Sequence, residues 1–403
     1  MDHDVVIVGG GPSGLSTALS LVQQRPSLAA RLVVLEKAHY PREKICGGAV
    51  AGRADRALAE LGLHVDVPEV KFTRMSVRYI SGSVVTAPAA AGRVIRRVEF
   101  DARLAQLAKD RGIRIVEGTR VLGLERVHGG LVVRTSCGDL RSRVVVGADG
   151  VGSVVRKLVC GRVPMWRAQV LEVDTEPAAK DLARDTVHFD LSDPSLAGYA
   201  WDFPTLVAGR PAMCRGVYHL LSPGQPADER DLQSRLRARL AALGLDLGTC
   251  VQKRYAERGF VPRTVLSCPH VLLVGEAAGI DPLTGEGIAQ AILYGRTVAP
   301  YLVRRLESQT LHFRDWKRVL SFSRVGLDLR IRHGICRLTF GPARRFYDRW
   351  ITENPQVLDL GARYFGGRPL SRLALAGICA RAVHHVMVYG AQAGAFRGMP
   401  LPR

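Results

Sequence analysis

Lysine is scarce. The 403-residue chain holds eight, so 49 of its 57 basic residues are arginine, and against 37 acids they leave a formal net charge of +20. That balance either follows composition alone or suits an anionic partner such as lipid headgroups or a diphosphate. Nucleic acid is the weakest candidate, because neither a reader motif nor basic–aromatic interleaving accompanies the charge. Uninterrupted apolar runs of about 18 residues are missing, which argues against a spanning helix. A leader is not expected either: Met1-Asp2-His3-Asp4 is acidic and runs straight into an apolar segment. The expectation is a cytoplasmic chain, peripheral at most to the inner face of a membrane. The eight cysteines form no C-x-x-C pair, and no metal-ligand spacing occurs; His384 and His385 are adjacent and point to different helix faces. Reduced thiols and no metal follow. No internal repeat is visible. Apolar residues at 47% and charged residues at 23% are those of a globular protein, and the length calls for more than one lobe.

What the chain does have begins at Asp4. Val5-Val6-Ile7-Val8 is a short β run that breaks at Gly9-Gly10-Gly11-Pro12-Ser13-Gly14, and a helical pattern follows through Leu15, Leu19 and Val22. Gly9, Gly11 and Gly14 stand in G-x-G-x-x-G register. The first permits a tight turn, the second lets backbone approach a pyrophosphate, and the third lets helix and strand pack closely. The helix N-terminus offers free N–H groups and partial positive charge. A second β run, Leu32–Leu35, ends in Glu36, whose carboxylate can accept from ribose hydroxyls. Strand, glycines, helix, strand and terminal acid together predict an adenine-dinucleotide site that includes Ser13 and Lys37.

Further along, a proline–glycine loop spans Tyr40 to Gly48. Residues 71–87 read as a hairpin, Arg97–Asp101 opens a helix, and three β runs follow at 113–116, 119–126 and 131–136. Val144–Gly150 is another apolar strand ending in glycine and acid. From about 161 to 262 the texture is β-rich and aromatic, with one helix at 227–243. The chain returns with Val271–Glu276, a glycine-rich loop and a helix over 286–305, and is helical and arginine-studded from 311 onward. The predicted division is a discontinuous dinucleotide domain (1–70, 94–160, 263–310), a substrate lobe (71–93, 161–262) and a helical C-terminal segment (311–403).

Three glycine–acid elements thus stand in order: Gly9–Gly14, Gly147–Gly150 with Ser153 and Arg156, and Gly275–Gly287. In this order they resemble the flavoprotein monooxygenase and geranylgeranyl reductase superfamily. The closer resemblance is to the geranylgeranyl reductases. Pro41–Gly48 is similar to that family's P-x-x-K-x-C-G-G loop, and Arg97–Asp101 to its R-x-x-F-D segment. Gly198–Pro204 resembles its Y-x-W-x-F-P motif, and Asp281–Ile288 its P-x-x-G-E-G-I loop. The resemblance covers residues 4 to 305. It implies an α/β (α+β overall) fold, with a glutathione-reductase-like Rossmann FAD domain and an inserted mixed β-sheet lobe. It also implies a prenyl lipid, quinone or prenyl diphosphate as substrate. The late motif departs from the family, reading Gly275-Glu276 where the family has Gly-Asp; the extra methylene displaces the carboxylate by about 1.5 Å from its ribityl contact.

By the same resemblance Arg97 and Val121 contact FAD, and Asp149 with Gly150 packs near its phosphate and ribityl chain. The N–H groups of Gly287 and Ile288, in a first helical turn, favour the charge of reduced flavin. Cys46 and Gly47 border flavin and substrate, and nearby Lys44 suggests a lowered Cys46 pKa. Tyr199, Trp201 and Phe203 alternate along a strand and share one face, as an apolar tunnel requires. With no second dinucleotide fingerprint, NAD(P)H or a reduced carrier protein must visit transiently as electron donor. The alternatives are an oxygen-using hydroxylase or halogenase, although no W-x-W-x-I segment is present, and a non-catalytic flavoprotein that binds a partner through its basic end. Leu375, Ile378, Cys379, Ala382, Val383, Val386 and Gly390 predict an amphipathic helix over 372–390, which either packs on the protein's own core, the commoner meaning of such a stripe, or rests on an anionic membrane surface.

Overall fold

The computed structural model describes residues 1–86, 91–161, 166–368 and Gly377. Its centre is the strand His3–Val8, buried along its whole length and hydrogen-bonded in parallel to Leu32–Leu35 on one side and Leu140–Gly147 on the other. A continuous Val/Ile/Leu run suits a parallel strand covered on both faces. Val8 is level with Leu35 and with Gly147. The fingerprint turn, Glu36 and Asp149 therefore emerge together at the carboxyl ends of three adjacent strands, where open parallel sheets bind ligands.

Arg114–Val116 extends this eight-stranded sheet beyond Leu32–Leu35. The far side of Leu140–Gly147 is shared. Its first half pairs with the hairpin Val121–Val127/Gly130–Thr135, and its second half pairs in parallel with Val271–Leu273. Helix Pro12–Gln24 packs against helix Ile288–Glu307 at Gly295, where a Cβ would lie 2.5 Å from the Ser16 hydroxyl and from the Thr17 nitrogen. Only hydrogen fits at that crossing.

A second sheet of seven strands runs in the order Lys253–Arg258, Arg167–Thr175, Arg210–Leu221, Gly198–Val207, Thr186–Asp190, Arg74–Tyr79 and Gly82–Val85. Neighbours are antiparallel except for the Thr186–Asp190/Arg74–Tyr79 pair, so the sheet is mixed. A three-stranded sheet of Ala49–Ala51, Gly92–Ile95 and Glu69–Phe72, which the sequence reading missed, accompanies it. Its strands are three or four residues long, too short to show a period. The helix expected at 286–305 spans Ile288–Glu307, and that at 227–243 spans Glu229–Ala242.

After residue 311 come helices Trp316–Phe322, Arg324–Thr339, Arg344–Glu353 and Gln356–Phe365. Cys336, Phe340, Tyr347, Trp350 and Ile351 pack into one apolar cluster with Tyr199, Trp201, Phe203 and Tyr218. The C-terminal helices thus cover the aromatic face of the second sheet. Among the described residues no helix is long and apolar enough to cross a membrane. The amphipathic stretch expected at 372–390 lies outside the described residues, Gly377 excepted.

Candidate functional site

The fingerprint turn closes as its glycines require. Gly9 has φ +106°, and a Cβ there would lie 2.4 Å from the Ala148 oxygen; one on Gly14 would lie 1.9 Å from the Gly9 oxygen. Gly11 is different. It caps helix Pro12–Gln24 in extended conformation, and a Cβ there would meet only the Arg42 guanidinium, at 3.8 Å. The helix N-terminus therefore faces open space. Ser13, the second residue of that helix, is buried with its hydroxyl unpartnered. Glu36 accepts from the Gly10 nitrogen (2.9 Å) and the Ala38 nitrogen (3.1 Å), which ties the acid to the turn, while Lys37 is exposed.

The other two glycine–acid elements meet the same spot. Gly275, at φ +57°, approaches Ser13 so closely that a Cβ would lie 2.5 Å from its hydroxyl. Glu276 follows on the short helix Gly275–Ala278; its Oε1 accepts from the Arg258 nitrogen at 3.3 Å, and its Oε2 lies 3.6 Å from where a Cβ on Gly150 would sit. Asp149 turns elsewhere. Its carboxylate accepts from the Val154 and Val155 nitrogens (2.7 and 3.2 Å) and the Ser153 hydroxyl, capping helix Val154–Cys160. The Asp149 backbone, not its side chain, meets the turn, its Cα lying 3.0 Å from where a Cβ on Gly9 would sit. An open helix N-terminus, an orphaned buried hydroxyl and an acid at a strand end fit the pyrophosphate and ribose of FAD.

Three segments then converge. Cys46-Gly47 packs on the second sheet: a Cβ on Gly47 would lie 3.2 Å from the Trp201 indole nitrogen and 3.3 Å from the Phe203 ring. The loop Asp281–Gly287 meets the same face, with the Tyr199 hydroxyl donating to the Thr284 carbonyl (2.6 Å) and the Tyr218 hydroxyl to the Pro282 carbonyl (3.1 Å). Gly287 and Ile288 start helix Ile288–Glu307, so their N–H groups have no intrahelical acceptor. Tyr199, Trp201 and Phe203 do share one face, with ring centroids 6.1 Å apart at each step. Trp201 lies over Gly216, where any side chain would strike its ring.

Arg97 pairs bidentately with buried Asp101 at 2.7 Å, and Arg42 bridges Asp101 (3.1 Å) and Glu36 (3.3 Å). This chain of charges links the Cys46 loop to the fingerprint. Val121 sits at the start of the edge hairpin, in the main core. The lowered Cys46 pKa inferred from Lys44 is corrected: burial pushes the thiol up, and the Arg97 guanidinium only partly offsets it. Cys137 is exposed, and its bonds from Ser136 and Thr119 lower its pKa. Iodoacetamide at neutral pH should therefore modify Cys137 well before Cys46, as peptide mapping would show.

Sequence reasoning missed two carboxyls. Glu172 stands opposite Lys253 on one neighbouring strand and Gly216 on the other, in a row that runs on through Trp201 to Phe189. It is 1% exposed, and its Oε2 has no partner. With Lys44, Cys46, Arg97 and Lys253 it lines one small cavity. Burial raises its pKa to about 7, which Lys253 opposes. Glu257 lies four residues beyond Lys253 on the edge strand; burial and then repulsion from Glu276 push its carboxyl well up, and its Oε2 is likewise unpartnered. The available signal was an acid on the inward side of an apolar strand, Val170-Leu171-Glu172-Val173.

A buried ionic network also escaped notice. Arg53 pairs with Glu286 and with Asp328 (3.0 Å), and Arg332 with Asp281, Asp328 and Glu286 (2.6, 3.0 and 2.8 Å). It clamps helix Arg324–Thr339 onto the 281–287 loop. Arg332→Met would leave buried Asp281 without an ion pair and Glu286 and Asp328 sharing Arg53 alone, so it should lower unfolding free energy by about 3 kcal/mol, measured by urea denaturation.

The model of one protein family, described as lycopene cyclase protein, matches residues 4–325. Among curated proteins, menaquinone reductase of Mycolicibacterium smegmatis is 28% identical over 333 residues, covering 73% of this chain and 75% of that one. Geranylgeranyl diphosphate reductase of Rhodobacter capsulatus is 29% identical over 321 residues, covering 76% and 77%. A geranylgeranyl bacteriochlorophyll reductase-like structure from Thermoplasma acidophilum superposes with a TM-score of 0.67 at 20% identity, over 96% of this chain and 98% of that one, so the fold is shared. The chain therefore belongs to the family described as lycopene cyclase protein.

Proposed function

We propose that this protein is an FAD-dependent oxidoreductase that hydrogenates isoprenoid C=C bonds of a prenyl lipid, quinone or prenyl diphosphate. The observation that carries the reading is the convergence of the 281–287 loop, Cys46-Gly47 and the Tyr199–Phe203 face, with the Glu172 carboxyl beside them. FAD supplies the hydride. Gly9–Gly14, Ser13, Glu36, Gly150 and Glu276 would hold its dinucleotide portion, and the N–H groups of Gly287 and Ile288 would meet negative charge at the flavin end. Tyr199, Trp201 and Phe203 line the apolar wall for the prenyl chain. Glu172, half protonated near neutrality, holds a proton next to that wall and delivers it to the alkene carbon opposite the hydride. NAD(P)H or a reduced carrier protein, visiting transiently, restores the reduced cofactor. The division into a dinucleotide domain, a substrate lobe and a C-terminal helical segment belongs to the same proposal.

The names of the relatives support a quinone or prenyl substrate: one is a menaquinone reductase, another a geranylgeranyl diphosphate reductase. The test is product analysis with reduced donor and a prenyl substrate under nitrogen and under air. Saturated product under nitrogen supports the proposal. Product that appears only under air, carrying oxygen or halogen, replaces it with a monooxygenase.

A further inference from the structure

The outer side of the C-terminal helices is unlike the rest of the surface. Phe322 is 81% exposed, Leu327 50%, Ile331 53% and Leu338 37%. The last three recur at the spacing of one face of helix Arg324–Thr339, and Phe322 ends the helix before it. Exposed arginines flank this row: Arg314 and Arg318 upstream, then Arg324, Arg330 and Arg337. The Arg330 guanidinium lies 6.0 Å from the Phe322 ring centroid.

No described acid answers them. Between residues 310 and 345 the acids are Asp315 and Asp328, and both are engaged elsewhere: Asp315 with Tyr301 and Arg305, Asp328 with Arg53 and Arg332. Single exposed apolar residues are ordinary on a monomer. A row of four among unpaired arginines has the composition of a helix lying in a lipid interface.

We propose that this face rests on an anionic bilayer, with Phe322, Leu327, Ile331 and Leu338 in the acyl boundary and the arginines on the headgroups. Charge complementarity selects the anionic lipid. The outward apolar row selects a bilayer over an acidic protein, which would satisfy the arginines alone. The opposite side of the same helix carries Arg332, paired to Glu286, and Cys336, whose thiol donates to the Pro282 carbonyl at 3.5 Å. One helix diameter, about 10 Å, therefore separates the lipid from the 281–287 loop. That is a short path for a prenyl chain leaving the membrane. The docking itself rests on the surface composition, not on the proposed reduction.

The test is sedimentation of the full chain with vesicles of phosphatidylcholine alone and of phosphatidylcholine mixed with phosphatidylglycerol, at low and high salt. Binding to the anionic vesicles that weakens with salt is expected. The double variant Phe322→Ser/Ile331→Ser should lower partitioning about tenfold, and Arg324→Gln/Arg330→Gln should remove the preference for anionic lipid, both with unchanged circular dichroism. Failure to bind either vesicle overturns the proposal. So does binding that survives the Phe322/Ile331 pair but is lost in Ile378→Asp/Val386→Asp, which would assign the contact to residues 372–390. Salt-sensitive binding indifferent to the apolar pair overturns it too and marks the face as a dock for an acidic protein. None of these readouts requires turnover, so they stand whether or not the reductase reading holds.

Discussion

Gly11→Asp yields a folded protein without FAD. Gly9 and Gly14 are closed by backbone at 2.4 and 1.9 Å, so a side chain at either would damage the turn itself. Gly11 has only the Arg42 guanidinium within 4 Å of its would-be Cβ, so the apoprotein accommodates the substitution. The carboxylate would then occupy the helix N-terminus where a pyrophosphate must sit, adding both volume and like charge. The purified variant should be colourless, with a circular dichroism spectrum matching the wild type and at least a hundredfold weaker uptake of added FAD, about 3 kcal/mol. A yellow Gly11→Asp protein would mean that the dinucleotide lies elsewhere.

Glu172→Gln should slow anaerobic reoxidation of the reduced enzyme by prenyl substrate by about 10²-fold or more, the usual contribution of a positioned acid. In the wild type the rate should fall as pH rises through about 7, where the proton is lost, and in the variant that dependence should vanish. Stability supplies a second readout. The folded-state pKa is raised, so the unfolded chain releases this proton at lower pH than the native protein does. Native stability therefore falls as pH rises from the ordinary glutamate value to about 7 and is level above it. Glu172→Gln lacks that penalty and should be more stable than the wild type at pH 8, by about 3 kcal/mol, with the gap falling to about 1 kcal/mol at pH 5. An unchanged rate and pH profile would remove Glu172 from proton delivery and assign the role to water or Glu257.

The dinucleotide half was legible because its signals are local. A strand, three glycines and a helix within twenty-odd residues carry their own geometry, and the register of Val8 with Leu35 and Gly147 only brings Glu36 and Gly150 to the same edge. The aromatic stripe at 199–203 was legible for the same reason: period two along one strand. Glu172, Glu257 and the Arg53–Glu286–Arg332–Asp328 network were not. Each acquires its meaning from partners far away in the chain, such as Lys253 opposite Glu172 or Arg53 against Asp328, and no local period encodes those pairs. The Cys46 error has a related cause. Lys44 is only two residues from the thiol, but its ammonium lies over the Tyr255 ring, 5.6 Å from the centroid, and burial dominates at the sulfur. Asp149 likewise faces its own downstream helix, a capping role that Ser153 and the following helical residues could have suggested.

The central claim is that reduced flavin in this protein hands its hydride to an isoprenoid double bond. Its most direct test is to reduce the purified enzyme without oxygen, mix it with a short-chain menaquinone or geranylgeranyl substrate, and follow the flavin absorbance. The account predicts return of the oxidised flavin spectrum in step with formation of a product two hydrogens heavier. Flavin that stays reduced across a panel of prenyl substrates until air is admitted would contradict it.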